Sequence, residues 1–150
     1  MIWDVIVVGL GPTGATLAHL LGMQGLKTLV LERDTALHAL PRAVHFDDEV
    51  MRVFQTIGVA ERVAGIARVN QGMRFIDAKG RTLLDWPRPQ VASAQGWHPS
   101  YRFHQPDLDA ILRDALSGRA SVEVREGHEV TGVRDLGPEV EVTGRLPGSG

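Results

Sequence analysis

Cysteine is missing from the 150 residues altogether, which excludes disulfides, cysteine–zinc sites and dithiol redox chemistry. Charge of one sign is missing too: 16 Lys and Arg face 18 Asp and Glu, giving a net charge of −2 and a pI near 6.3. Such a balance supplies no basic field for nucleic acid or an anionic membrane. The first apolar run stops at Gly9 and has no basic stretch ahead of it, so neither a signal peptide nor a membrane span is expected, and a cytoplasmic protein is the plain inference. Six histidines are scattered, and His98 and His104 lack ligand partners at helical spacing, so no metal site is expected. No internal repeat is apparent. What is present, 43% hydrophobic and 23% charged residues, suits one soluble globular domain.

The most informative stretch is Asp4-Val5-Ile6-Val7-Val8-Gly9-Leu10-Gly11-Pro12-Thr13-Gly14, followed by a helical pattern and by Leu29-Val30-Leu31-Glu32. A β-branched run, a glycine-spaced turn, a helix and a second apolar run ending in an acid make a βαβ unit. Each glycine has a physical role. Gly9 turns the chain sharply out of the strand, Gly11 lets backbone approach a pyrophosphate, and Gly14 lets helix and strand pack closely. The helix start offers N–H groups and partial positive charge to phosphates. Glu32 lies about 20 residues beyond the glycines, where a carboxylate accepts hydrogen bonds from ribose hydroxyls and disfavours a 2′-phosphate. A structural βα turn is the competing reading, and a P-loop is excluded because no Gly-Lys-Ser/Thr follows.

Beyond this unit, the helix is expected over Thr13 to Gln24, with Gly14, Ala18 and Leu21 on its packed face and Gly25 as its cap, and Lys27 to Glu32 is the second parallel strand. An irregular connection ends in Pro41-Arg42-Ala43, where Arg42 is either a solvated surface charge or a binding group presented from a loop. Asp47 reads as an N-cap, with Val50, Val53, Phe54 and Ile57 as a buried stripe, Gly58 as the stop and a short helix over Ala60 to Ala67. Gly72 to Ala78 and Arg81 to Trp86 flank Lys79-Gly80 as a β-hairpin, antiparallel structure inserted after the second strand. An exposed loop over Trp86 to Ser100 carries Trp86 and Trp97, which either pack structurally or line a pocket. Tyr101 to His104 reads as a strand and Pro106 to Leu116 as a helix. Gln105 is a poor N-cap for that helix, so its amide either meets a ligand or has no role. Ser121 to Arg125 is a third strand parallel to the first two, His128 to Arg134 and Glu139 to Thr143 are an antiparallel pair, and 144–150 is a flexible tail or a cut connection.

Three separated signatures agree: Gly9 to Gly14 with Glu32-Arg33, Pro41-Arg42-Ala43 before a helix, and Tyr101-Arg102-Phe103-His104-Gln105-Pro106-Asp107-Leu108. Together they resemble the N-terminal part of FAD-dependent aromatic hydroxylases, the single-component monooxygenases typified by p-hydroxybenzoate hydroxylase, and within them the hydroxyphenylpropionate hydroxylases. The resemblance implies an α/β fold, a Rossmann-like, glutathione-reductase-like FAD-binding βαβ with inserted antiparallel strands (about 70–104), incomplete in this chain. It implies that Gly9, Gly11, Pro12, Thr13 and Gly14 meet the pyrophosphate, Glu32 the adenosine ribose and Arg33 the adenine. Arg42 would reach the pyrophosphate and ribityl chain, Gln105 the ribityl region, and the main chain near Val130 the adenine. The implied partners are FAD, NAD(P)H as transient co-substrate, O2 and a small phenolic ring hydroxylated through a flavin C4a-hydroperoxide, with no nucleic acid, no membrane, and a homodimer open to the full-length form.

The family's second cofactor motif, an Asp-Gly pair after a later strand, is absent, as are its Gly-Asp motif and most of its substrate sheet. The expectation is therefore an N-terminal fragment, inactive alone, with the rest of the FAD-binding and substrate domains lacking and an exposed edge on the first strand. The sequence identifies no catalytic residue. Two other readings stand beside this one: another FAD oxidoreductase of the same fold, such as an amine oxidase or geranylgeranyl reductase, and a non-catalytic nucleotide-binding remnant.

Overall fold

The computed structural model describes residues 2–146. Along the chain run β1 (Val5–Val8), α1 (Pro12–Met23), β2 (Thr28–Leu31), β3 (His45–Asp47), α2 (Asp48–Ile57), α3 (Ala60–Ile66), β4 (Arg68–Val69), β5 (Gly72–Ile76), β6 (Thr82–Pro87), β7 (Ser100–Arg102), α4 (Gln105–Leu116), β8 (Val122–Arg125), β9 (Glu129–Asp135) and β10 (Val140–Arg145). The chain divides into two compact units, 1–39 with 109–150, and 40–108. The second unit has a core of its own, drawn mainly from Phe46, Met51, Phe54, Ile57, Val59, Val63 and Tyr101.

In the first unit β1, β2 and β8 form a parallel sheet in the order β1-β2-β8. Val5 pairs with Thr28 and Val8 with Leu31, and Thr28 pairs with Val122 on the other side. All four residues of β2, the central strand, are buried. By contrast, β1 pairs only with β2 among the described residues, and its Val8 is 58% exposed, the bare edge that the sequence led us to expect. Helix α1 buries Ala15, Ala18 and His19. His19 Nε2 lies 3.0 Å from the Leu112 carbonyl of α4, and Arg119 Nε donates to His19 Nδ1 at 3.4 Å, so a fully buried imidazole tethers α1 to α4. The remaining strands, β9 and β10, pair antiparallel with a register shift at Thr143/Gly144. Strand β10 runs through Arg145, so Gly144 and Arg145 belong to the sheet and not to a tail; residues 147–150 lie outside the described residues.

The second unit is antiparallel. Strands β3 and β4 both pair with β7, and β5 pairs with β6 in a hairpin whose turn carries Gly80 at φ +78°. Strands β3 and β4 went unseen in the sequence because three and two residues are too few to show alternation. Phe46 anchors the core, edge-on to Phe54 at 5.5 Å and stacked on Tyr101 at 5.3 Å, with Phe103 at 5.1 Å. The Asp47 carboxylate accepts from the Val50 N–H at 3.0 Å, capping α2 as expected, and Gly58 ends it in the left-handed region. The buried stripe of α2 is Met51, Phe54 and Ile57, whereas Val50 is exposed. Phe54 and Ile57 keep their expected places and Val53 is half-buried, so the only exchange is Met51 for Val50 at the N-terminal end of the stripe.

Candidate functional site

The glycine turn forms a cradle whose parts have separate physical causes. Gly9 has φ +98°, a conformation that a side chain strains against, and its N–H donates to the Leu31 carbonyl at 2.8 Å. A Cβ on Gly14 would stand 2.1 Å from the Gly9 carbonyl oxygen, so helix and strand meet there backbone to backbone. Gly11 differs: its backbone is extended at φ −78°, and a Cβ would meet no protein atom within 4 Å. The fold does not require glycine at 11, and the open space beside it is what a close-lying ligand would use. Helix α1 starts there with Pro12 at its first positions, no side-chain cap and no acid in its first turn. Its N–H groups and dipole are left to an anion. A cavity of about 480 Å3 lies against this turn and the open side of β1, lined by Val5 to Gly9, Gly11 to Gly14 and Leu17.

Glu32 is tied to the same turn. Its Oε2 accepts from the Leu10 N–H at 2.7 Å and its Oε1 from the Asp34 N–H at 3.0 Å. Partial burial pushes the Glu32 carboxyl upward, but hydrogen bonds from the Asp34 and Leu10 N–H groups, the Arg113 charge and the Arg33 N–H together hold it below the ordinary carboxylate value. It is therefore an acceptor-only group at neutral pH, suited to vicinal hydroxyls. Next to it, Arg33 is exposed with its Nε 3.7 Å from the Asp34 carboxylate. Val130 is half-buried in β9, opposite Gly144 of β10.

In the second unit Arg42 and Gln105 are brought together across the sequence. The Arg42 and Ala43 N–H groups both donate to Gln105 Oε1, at 2.8 and 2.9 Å. Gln105 is only 4% exposed and is the first residue of α4, one earlier than the proline suggested, while Arg42 itself is exposed. The glutamine carbonyl thus grips the loop that presents the arginine. Trp97 Nε1 donates to Gln55 Oε1 at 2.9 Å, and Trp86 is half-exposed beneath Arg88. Among the described residues no cluster of three His, Asp or Glu could hold a metal ion, and no helix is long and apolar enough to cross a membrane. Sequence reasoning overlooked the Leu10 N–H, which carries no side-chain signal, and Arg113, which reads as an ordinary helix-surface charge.

A parallel βαβ with a glycine cradle at the helix start and an ionised acid after the second strand defines a dinucleotide-binding domain. Residues 3–150 match the family model described as FAD binding domain, and the chain belongs to that family. It is 45% identical over 139 residues to the 3-(3-hydroxy-phenyl)propionate/3-hydroxycinnamic acid hydroxylase of Mycobacterium avium, covering 93% of this chain and 24% of that protein. It is 42% identical over 130 residues to a probable NADH-specific resorcinol 4-hydroxylase of Rhodococcus jostii, covering 87% of this chain and 24% of that protein. Among solved structures, p-nitrophenol 4-monooxygenase from Pseudomonas putida superposes with a TM-score of 0.86 at 22% identity, over 97% of this chain and 37% of that one, a likeness of fold. The anhydrotetracycline hydroxylase OxyS of Streptomyces rimosus superposes at 0.79 with 26% identity, over 98% of this chain and 29% of that one. The chain spans about a quarter of the length of the curated relatives it matches.

Proposed function

We propose that this chain is the N-terminal, FAD-holding part of a flavoprotein monooxygenase that uses NAD(P)H and O2 to hydroxylate a small phenolic substrate. The observation that carries the reading is Gly11: its glycine is unexplained by the fold and is accounted for by a pyrophosphate lying against the helix start. Bound FAD would supply the redox chemistry that joins a reduced nicotinamide, O2 and an aromatic ring. This chain's residues bind and orient. In this reading the turn from Gly9 through Pro12 and Thr13 to Gly14 receives the pyrophosphate, Glu32 accepts from the adenosine ribose, Arg33 lies by the adenine, and backbone near Val130 borders it.

Arg42 supplies a guanidinium to the pyrophosphate and ribityl side, and Gln105 acts there through its hold on the Arg42 and Ala43 backbone as well as by direct contact. The inserted strands at about 70–104 belong to the same FAD-binding portion, and substrate-activating groups come from the remaining three-quarters of the enzyme's length. A cytoplasmic setting, with no nucleic-acid or membrane partner and a homodimer for the longer form, completes the proposal.

Flavin titration tests it. The chain, and Gly11→Val beside it, is titrated with FAD and FMN by fluorescence quenching. The expected result is binding of FAD in preference to FMN, because the first unit contacts the adenosine half, and weakening of FAD by about tenfold or more in the variant at unchanged thermal stability. Equal affinities of the two proteins for FAD would overturn the assignment.

A further inference from the structure

Strand β7 lies between β3 and β4, and the register sets His45, Arg102 and Arg68 side by side across the three strands. Residues directly opposite one another in antiparallel strands share a face, so this row stands on one side of the sheet and Phe46, Tyr101 and Val69 on the other. The Phe103 N–H donates to the Val44 carbonyl at 3.1 Å, which makes His45 and Arg102 the adjoining non-hydrogen-bonded pair, where side chains approach most closely. All three residues of the row are exposed. Like charges set opposite each other destabilise a sheet, and neither Arg68 nor Arg102 has an ion-pair partner among the described residues. The acids of the neighbouring hairpin are taken: Asp85 by Arg74 and Asp77 by Arg81, each at 2.7 Å.

Two members of the row are held in place from beneath by buried polar groups. Ser100 is 1% and Asn70 4% exposed. Asn70 Nδ2 donates to Ser100 Oγ at 3.0 Å, and Asn70 Oδ1 accepts from the Gly72 N–H at 3.2 Å. The Gly72 carbonyl in turn accepts from Arg102 Nη2 at 3.3 Å, and Ser100 Oγ lies 2.6 Å from His45 Nε2. A buried hydroxyl needs an acceptor for its proton, and among the described residues His45 Nε2 is the one Ser100 has. The imidazole is thereby fixed with Nδ1 as its N–H donor. One buried asparagine thus orients both the imidazole and the guanidinium, so much of the ordering cost is met before a ligand arrives.

We propose that the row His45, Arg102 and Arg68 is a binding site for the carboxylate of a small organic acid. The guanidinium forks match a planar carboxylate, the His45 Nδ1–H supplies a further donor, and the bound anion relieves the Arg68–Arg102 repulsion. Asp47 stands opposite Ser100 in the next row of the same face, and its negative charge favours a singly charged anion over phosphate. The site does not rest on the FAD reading, which assigns none of these three residues to the cofactor.

Benzoate is the probe, benzamide its uncharged counterpart and inorganic phosphate the competing oxyanion. Each is titrated into the full chain without flavin, and NMR follows the arginine side-chain N–H and histidine ring signals. Benzoate should move His45, Arg68 and Arg102 together, with a dissociation constant of roughly 1–10 mM, and leave the ion-paired Arg74 and Arg81 still. Arg102→Gln should weaken benzoate by about five- to tenfold, and Arg102→Lys should restore only part of the loss, because an ammonium lacks the fork. Should Arg102→Gln not fold, Arg68→Gln repeats the test at a side chain with no protein partner to lose. Benzamide moving the row as far as benzoate does, movement spread equally to Arg74 and Arg81, or tighter binding of phosphate would each overturn the proposal. So would a benzoate affinity that is unchanged in the Gln variants. With no flavin in the sample, these outcomes are separate from those of the flavin titration.

Discussion

The turn at Gly9–Gly14 and the turn at Pro41–Ala43 are both short stretches of backbone beside a helix or strand start, but they are held by different means. The first is shaped chiefly by its own residues, a positive φ at Gly9, a backbone contact at Gly14 and a proline that starts α1, with Glu32 adding one bond to the Leu10 N–H. The second has Pro41 but neither a positive-φ glycine nor a close backbone contact, and it is gripped by Gln105, 63 residues from Arg42 and 62 from Ala43. A locally determined turn can be recognised from spacing, whereas a turn held from a distance looks like any polar loop. The practical difference is where each can be broken.

The largest effect is expected at the self-shaped turn. Gly14→Ala drives a Cβ to 2.1 Å from the Gly9 carbonyl oxygen, backbone that cannot step aside cheaply. A loss of about 2–4 kcal/mol is expected in urea unfolding; unchanged stability would mean that the close packing of α1 on β1 is wrong.

Next comes the distant grip. Gln105→Ala leaves the part-buried N–H groups of Arg42 and Ala43 without their acceptor, at about 1–3 kcal/mol. Faster hydrogen exchange at those two amides, with the Gly9–Gly14 amides unchanged, would show that the two turns are held independently.

A pH dependence of intermediate size falls on the first unit. Burial pushes the His19 imidazole below its ordinary value, the Leu112 carbonyl opposes this, and the Arg119 charge adds to it. The unfolded chain then takes up a proton at a higher pH than the native one, so His19 contributes stability above the ordinary histidine value and loses it as pH falls from there to the depressed native value. Thermal melts from pH 7.5 to 5 should show the decline, and His19→Gln should flatten it.

The smallest effect sharpens the comparison. Gly11→Ala should change stability by less than about 0.5 kcal/mol, since its backbone is extended and its Cβ meets nothing. A larger loss would mean that all three glycines serve the fold and would remove the argument that Gly11 serves a ligand.

The sequence by itself determined what depends on neighbours along the chain. The βαβ order, the separate duties of Gly9 and Gly14, the acid at 32 and the Asp47 cap all follow from local geometry and from periodicity over four or more residues. Only the tertiary structure decided which strand is central and which is bare, since hydrogen-bond partners across a sheet leave no mark on spacing. It decided as well that β3 and β4 exist, being too short to show a period, and that Met51 takes the buried place that Val50 was expected to fill. The hold of Gln105 on residues 42 and 43, and the pairing of Arg113 in α4 with Glu126 after β8, belong to the same class. Their physical reason is shared: a side chain's charge or amide acts over a few ångströms of space, and the fold alone sets which distant residues lie within that reach.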